Sequence, residues 1–512
     1  MSANRLSMWI ALPIALVLAG CATVDPRPDY QTTIERISKA TGHETVYRPG
    51  EEELVQEQVA SLLNGGLTVG EAVQVCLLNN PILQANFLNI GMSRADVVQS
   101  GLLSNPSLGV SVRLPSGGGL ANLEAGLAQN IAALWQIPVR KRVAQRNLDR
   151  AILQLAHDAA QLAADAQAQY YTAVAARRIH SISQDNLEIA EGLLEMAIAR
   201  QQAGAGNELD VNLSRGTVLQ AKLALRGARL AASQAARNLA TLLGLDEPAE
   251  ELALLDELPE PPDWEITPQR IVEVALLNRL DIQAAQHEVM AAAARLQEQW
   301  RMIFPIVELG VALERGERKA QGGRDVLADT ARASIASGGL TAPGIQPRSA
   351  RRRHTDLIVG PSIRLELPIF DQNQAQIAKA EMAYRQALKL LGALELAASQ
   401  EVRSAADRAM TAWDIARFYR DDFLPLAQTN LGLSRESYRA GRASFLAVLE
   451  AQRFFLDARS RYVGALGDAA MALPDLERVV GLPLAQLMSG MRENPDPDPG
   501  KQTDEAHEGG RP

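Results

Sequence analysis

Aromatic side chains are scarce in this chain. Phe, Trp and Tyr together supply 4% of 512 residues, while hydrophobic residues as a whole supply 47%. A core so poor in rings is built from Ala and Leu, the composition of long packed helices. Histidine is nearly as rare: His43, His157, His180, His287, His354 and His507 are scattered, with no partner at metal-ligand spacing. That pattern excludes the usual zinc motifs and His-based catalysis. No Gly-x-Ser-x-Gly and no nucleotide-binding loop occurs, and Gly204-Ala205-Gly206 lacks the third glycine and preceding strand of a dinucleotide site. The chain therefore does not read as an enzyme and carries no cofactor site. Two cysteines occur, Cys21 and Cys76. The second aligns with Ala275 in the other half of the chain, so it reads as a small buried side chain. A formal net charge of −9 gives no reason to expect nucleic acid. Beyond the first twenty residues no run of eighteen apolar residues exists, so no helix is expected to span a membrane.

What the chain does have is a turn that occurs twice. Ala203-Gly204-Ala205-Gly206-Asn207-Glu208-Leu209 returns as Ala440-Gly441-Arg442-Ala443-Ser444-Phe445-Leu446, and the correspondence runs without a gap from Ala203–Leu245 onto Ala440–Leu482 at an offset of 237. Thirteen of those 43 positions are identical. Each copy lies between two Ala-rich helical patterns, where Gly breaks one helix and Asn or Ser caps the next. A second match, at an offset of 199, aligns residues 67–85 with 266–284 and includes Leu77-Leu78-Asn79 against Leu276-Leu277-Asn278. The chain is a duplication, with a first repeat over 67–245, a linker over 246–265 and a second repeat over 266–485. Residues 21–66 read as a polar, loosely ordered lead-in, and 486–512 as an acidic, Pro-rich disordered tail.

Each repeat opens with a capped helix, at Thr68-Val69-Gly70-Glu71 and at Thr267-Pro268. A second helix follows and ends before Asn105-Pro106 or Phe304-Pro305. The hydrophobic period then changes to two. Leu108, Val110, Val112 and Leu114 alternate with small and polar residues, as do Val307, Leu309, Val311 and Leu313. Returning strands are expected near Leu120–Ile131 and Leu357–Leu367. Such alternation suits a lipid-facing barrel strand, and equally a half-buried strand of a soluble sheet. The turn between strands is short in the first repeat, at Ser116–Gly119. In the second it is a connection, Arg315–Thr355, with nine Lys and Arg against three acids; it reads as a solvated loop.

From Pro138 to the Gly204 turn the helical pattern would span ~100 Å, with Leu148, Ile152, Leu155, Ala159, Leu162, Ala166 and Ala173 as a coiled-coil seam. If Pro138 and Pro368 are equivalent, the second long helix is one heptad longer, an insertion that preserves coiled-coil phase. Pro425 should kink or interrupt it. At the N-terminus, Arg5 and the apolar stretch Met8–Val17 form a targeting segment over 1–20.

The ending Leu18-Ala19-Gly20-Cys21 resembles a bacterial lipobox, which makes Cys21 the lipidated residue. Together with the duplication, Tyr438-x-x-Gly441-x4-Leu446, its partner Gly204-x4-Leu209 and Leu367-Pro368-Ile369-Phe370-Asp371, the chain resembles the TolC-like outer-membrane efflux proteins, in their lipoprotein branch that serves RND-type pumps. The resemblance covers residues 67 to about 485. It implies a mainly α chain with a membrane β-barrel, in which a homotrimer forms a 12-stranded barrel and an α-helical periplasmic tunnel. Four strands cannot close a barrel alone, since about eight is the lower limit. The implied function is a passive exit duct in the cell outer membrane, lipid-anchored and extending into the periplasm. It would join an inner-membrane RND-type pump through a periplasmic adaptor (membrane fusion protein). The resemblance puts Gly204, Gly206, Leu209, Tyr438, Gly441 and Leu446 at the adaptor-facing hairpin tips, with Leu209 and Leu446 either seated in the adaptor or packed within the hairpin. A coiled-coil surface lipoprotein without a channel is the other reading.

Overall fold

In a computed structural model, the described residues are 22–114, 121–204, 206–246, 253–262, 268–318, 333–340 and 354–483. The targeting segment, Cys21, the Ser116–Gly119 turn, the Thr267 cap, most of the basic connection and the C-terminal tail lie outside them. The elements run as α1 (Arg27–Thr41), α2 (Glu52–Leu63), α3 (Val69–Asn79), α4 (Pro81–Ser100), β1 (Ser107–Arg113), β2 (Asn122–Asn130), α5 (Ala133–Gln202) and α6 (Glu208–Leu243). The second repeat gives α7 (Pro268–Asn278), α8 (Leu280–Arg301), β3 (Val307–Arg318), β4 (His354–Leu365), α9 (Gln374–Phe418), a π turn (Tyr419–Phe423), α10 (Leu424–Arg439) and α11 (Phe445–Val480). Helix, helix, strand, strand and long hairpin therefore occur twice in the same order. Among the described residues no helix is long and apolar enough to cross a membrane.

The contacts divide the chain into two units. One holds the described parts of Met1–Ala95, Arg146–Val289 and Gln386–Pro512; the other holds Asp96–Gln145 and Met290–Arg385.

In the first unit, the hairpin helices are tied side by side. Lys222 on α6 pairs with Glu191 on α5 at 3.1 Å, and Arg459 on α11 pairs with Asp185 on α5 at 3.1 Å. Arg408 on α9 pairs with Asp475 on α11 at 2.7 Å, and the buried Trp413 donates Nε1–H to the Ala469 carbonyl at 3.3 Å. The contacts run in the order α6, α5, α11 and α9–α10. The outer members, α6 and α9–α10, both leave leucines exposed, among them Leu219, Leu223 and Leu230 on one and Leu396, Leu426 and Leu433 on the other. The seam on α5 is buried at Leu148, Ile152, Leu155, Ala159, Ala166 and Ala173, with Leu162 half-buried. Small side chains let the helices approach closely: a Cβ on Gly467 of α11 would come within 3.1 Å of the Ala175 Cβ on α5.

The two repeats grip their last helices in the same way. Asn80 donates to the Leu242 carbonyl at 2.9 Å, and Arg279 donates to the Val479 carbonyl at 3.3 Å. Those positions correspond under both internal offsets. Each helix then ends on a left-handed glycine, Gly244 (φ 71°) or Gly481 (φ 77°). At Gly244 a Cβ would lie 2.5 Å from the Asn79 carbonyl oxygen, besides taking a conformation that L-residues avoid. Gly244→Ala should therefore lower the melting temperature far more than Gly441→Ala. The latter keeps open space around its Cβ and costs only ~1–2 kcal/mol of backbone strain. Paired thermal melts check the ranking. Cys76 is buried beside this clamp, and burial pushes its thiol up to about 12.

Two expectations need correction. Residues 22–66 are not loosely ordered, because α1 and α2 bury Ile34, Ile37, Val55 and Val59. Asp29, itself buried, pairs with Arg94 of α4, and Tyr47 stacks edge-on to Phe87 at 5.6 Å. The heptad insertion is also absent: Pro138 lies inside α5, five residues after its start, whereas Pro368 precedes α9. From helix start to turn, α5 has 70 residues and Gln374–Arg439 has 66, so the second long helix is four residues shorter, not a heptad longer. The prolines are not equivalent landmarks. Pro425, by contrast, does interrupt its helix, directly after the π turn.

Candidate functional site: the hairpin tips and the bare sheet

The two turns share one backbone. Gly204 and Gly441 adopt φ 69° and 72°, which reverses the chain without a Cβ penalty. In the first turn the Asn207 side chain accepts from the Asp210 N–H at 2.8 Å, and in the second Ser444 Oγ accepts from the Ala447 N–H at 3.3 Å. Gly206 serves a separate need. A Cβ there would meet the Gln201 nitrogen at 3.0 Å and the Arg200 carbonyl carbon at 3.2 Å, so α5 ends against it. Leu209 is 64% exposed and Leu446 is 51% exposed. Each presents a largely exposed apolar side chain beside a reversing backbone.

The tips differ in what lies behind the leucines. Phe445 is buried with Leu193, Ala197, Val211 and Leu449, and Tyr438 packs on this cluster. The Tyr438 and Phe445 rings lie 5.6 Å apart, and the Arg200 guanidinium sits 4.5 Å over the Tyr438 ring. A cation over a ring face is worth ~0.5–2 kcal/mol. Hairpin one thus contributes Arg200, Leu193 and Val211, hairpin two contributes Tyr438 and Phe445, and the tips are joined. Sequence reasoning named Tyr438 but missed Arg200 and Phe445. The available signal was the replacement of Glu208 by Phe445 at the 237 offset. Charges differ as well, with Glu208 and Asp210 beside Leu209, and Arg439 and Arg442 beside Gly441.

In the second unit the strands form one antiparallel sheet in the order β1-β2-β3-β4. Its register sorts the side chains. Leu108, Leu127, Val311 and Pro361 form one row, Val110, Ala125, Leu313 and Val359 the next, and Val112, Leu123, Arg315 and Leu357 a third. Between them, on the opposite face, run Ser107-Ala128-Gly310-Ser362, Gly109-Gly126-Ala312-Gly360 and Ser111-Glu124-Glu314-Ile358. One face is apolar and the other is small and polar, with ion pairs Arg113–Glu124 at 3.0 Å and Arg364–Glu308 at 2.9 Å. The apolar face has no cover: Leu108, Val110, Val112, Leu127, Val311, Leu357, Val359 and Ile363 are all exposed. A sheet in water hides its apolar face, so this one is built for another medium. Among the described residues, the outer edges of β1 and β4 have no strand partner.

Residues 271–482 match the family model described as outer membrane efflux protein. The cobalt-zinc-cadmium resistance protein CzcC of Cupriavidus metallidurans is 25% identical over 309 residues, covering 59% of this chain and 64% of that protein. The pyoverdine export outer membrane protein OpmQ of Pseudomonas putida is 26% identical over 318 residues, covering 61% of this chain and 59% of its own. The matches thus span under two thirds of these relatives. The solved outer-membrane channel OprN superposes with a TM-score of 0.62 at 19% identity, over 86% of this chain and 95% of that one. The fold is that of outer-membrane channels.

Proposed function

We propose, on the premise that this chain belongs through residues 271–482 to the outer membrane efflux protein family, that it is the outer-membrane exit duct of a tripartite efflux system. The observation that carries the reading is the four-stranded sheet with one bare apolar face and two unpaired edges. In lipid every backbone N–H and C=O needs a partner, so open edges must close against further copies. Two copies would supply eight strands and three would supply twelve; the family resemblance favours three. The helices support the same closure, since α6 and α9–α10 are outer members with exposed leucines that a second copy would cover. The small, polar face of the sheet then lines the passage.

A duct of this kind is passive. The energy comes from an inner-membrane RND-type pump, and the hairpin tips meet the periplasmic adaptor that joins the two. Leu209 and Leu446 are the apolar contacts offered to that adaptor, held out by Gly204, Gly206 and Gly441. Cys21 carries the lipid that anchors the mature N-terminus in the outer membrane. Cargo is set by the pump: one relative is named for cobalt, zinc and cadmium resistance and another for pyoverdine export.

Replacing both Leu209 and Leu446 with Glu should abolish efflux while heat-resistant oligomers persist in the outer membrane. Efflux at the normal rate would remove the docking role. A coiled-coil lipoprotein without a channel predicts no conductance in planar bilayers, and the same purified oligomer tests that.

A further inference from the structure

Where the strands give way to helices, polar groups are turned toward one another. Arg301 at the end of α8 donates to the Trp135 carbonyl of α5 at 2.7 Å, and Gln129 donates to the Ser104 carbonyl at 2.7 Å. Asn130 Oδ1 accepts from the Ala132 N–H at 2.9 Å, and Asn373 donates to the Gln299 carbonyl at 2.7 Å. What this joint leaves outside is apolar: Leu103, Leu134, Trp300 and Phe304 are all exposed. Leu134 comes four residues after β2 and Phe304 three before β3. The bare apolar surface of the sheet therefore continues onto the helix ends.

Charge of one sign begins just beneath. Residues 131–146 carry Arg140, Lys141, Arg142 and Arg146 and no acid. Lys141 and Arg142 are exposed, as is Arg301. A Cβ on Gly101 would stand 3.9 Å from the Lys141 Cδ, so the lysine stem runs along the end of α4. Helical side chains lean toward the N-terminus of their helix, and in α5 that is the end joined to the sheet. Both cations thus reach back toward the strands, with their stems over apolar surface. The heights agree. At 1.5 Å per residue Leu134 lies ~6 Å below β2 and Lys141 ~16 Å, and leaning back one turn raises the charge to ~11 Å. With hydrocarbon ending at Leu134, a headgroup layer ~5–8 Å deep extends to ~11–14 Å.

We propose that the joint of α4, α5 and α8 is a seat for anionic phospholipid. Lys141 and Arg142 take the headgroup phosphates, while Leu134, Trp300 and Phe304 lie against the upper acyl chains. Rings at the hydrocarbon boundary with cations just beyond it match the two layers of such a surface. A second copy answers the charge poorly. The stretch of chain after β4 at the same level, residues 367–385, carries two acids and two bases, so it brings no excess of acid to these cations. The seat deepens the duct reading and rests on the sheet meeting lipid.

Trp300 is the reporter, read as the tryptophan fluorescence that Trp300→Phe removes. The purified oligomer is reconstituted in phosphatidylcholine vesicles holding a variable fraction of brominated phosphatidylglycerol or of brominated phosphatidylcholine. Half-quenching should need about a tenth as much of the anionic quencher as of the zwitterionic one. In Lys141→Gln/Arg142→Gln, which keeps Arg301 on the Trp135 carbonyl, the two should come within about twofold. Arg226→Gln/Arg229→Gln, an equal loss of charge on α6, should leave the preference intact. Should the Lys141 variant fail to assemble, wild type in about 0.5 M salt replaces it, where screening should shrink the preference in the same way. Equal quenching by both lipids in wild type overturns the seat and leaves the sheet in the membrane. So does a preference that survives both the variant and salt, or one lost equally in the α6 variant. No quenching by either lipid also overturns it; conductance from that same oligomer would keep the duct, and no conductance would remove both.

Discussion

Val311→Arg should abolish outer-membrane assembly. Val311 sits in the middle of β3, in the row with Leu127 and Pro361, on the uncovered apolar face. If that face meets hydrocarbon, an arginine near the midplane costs ~2–4 kcal/mol in every copy. Were the sheet an ordinary one in water, an exposed valine could become arginine for about 0.5 kcal/mol or less. The matched control is Ser111→Arg on the polar face, opposite Glu124. It should assemble normally and alter only conductance. Heat-resistant oligomer in outer-membrane fractions is the measurement, and normal amounts of the Val311→Arg oligomer would remove the membrane assignment of this sheet.

The second large effect belongs to Arg279. It is 7% exposed and donates to Asp281 at 2.8 Å, to Glu401 at 2.7 Å and to the Val479 carbonyl at 3.3 Å. Glu401 also receives Arg478 at 3.0 Å, which reaches Asp475 at 2.8 Å. Removing one member of a buried network strands its partners, so Arg279→Met should cost ~3–5 kcal/mol. The pH dependence follows from the carboxylates. Burial pushes Asp281 and Glu401 up, but hydrogen bonds from Arg279 overcome it and hold both below the ordinary carboxylate range. Their contribution is present above about pH 4 and fades as pH falls through the depressed values. In Arg279→Met only the upward push of burial is left from that side, and protonation relieves the stranded charges. The gap between wild type and variant should therefore be widest near neutral pH and shrink under acid, as read by thermal melts. A gap independent of pH would show that Arg279 acts only as a cap on α11. Asn80, its counterpart, does that work in the first repeat without charge.

Much of this architecture was legible because it is periodic. The alternation of Leu108, Val110 and Val112 and of Val307, Leu309 and Val311 located two strands, and the twin glycine turns located both hairpins. Leu209 and Leu446 were named as tip residues, although their exposure depended on which side of each turn the helix entered. What stayed hidden was held by distant partners. Helix α1 is polar on average and begins among prolines, so it reads as a loop; Ile34, Ile37 and the Asp29–Arg94 pair, 65 positions apart, make it a packed helix. Arg200 looked like one more surface charge until Tyr438, more than two hundred residues later, came to lie beneath it. Pro138 misled for a local reason. Proline is tolerated in a first helical turn, and Pro138, just beyond that turn, reads from sequence alone as a boundary. The π turn was anticipated only as a kink at Pro425, because no side-chain pattern distinguishes a widened turn from a broken one.

The unpaired edges of the sheet have a genetic meaning. A chain whose β1 edge is spoiled still offers a sound β4 edge, and a neighbour will accept it before the defect is met. The ring then stalls with healthy members already committed. Lesions at these edges should be dominant over a wild-type copy in the same cell, while lesions at the Gly244 clamp, which prevent the chain from folding and joining at all, should be recessive.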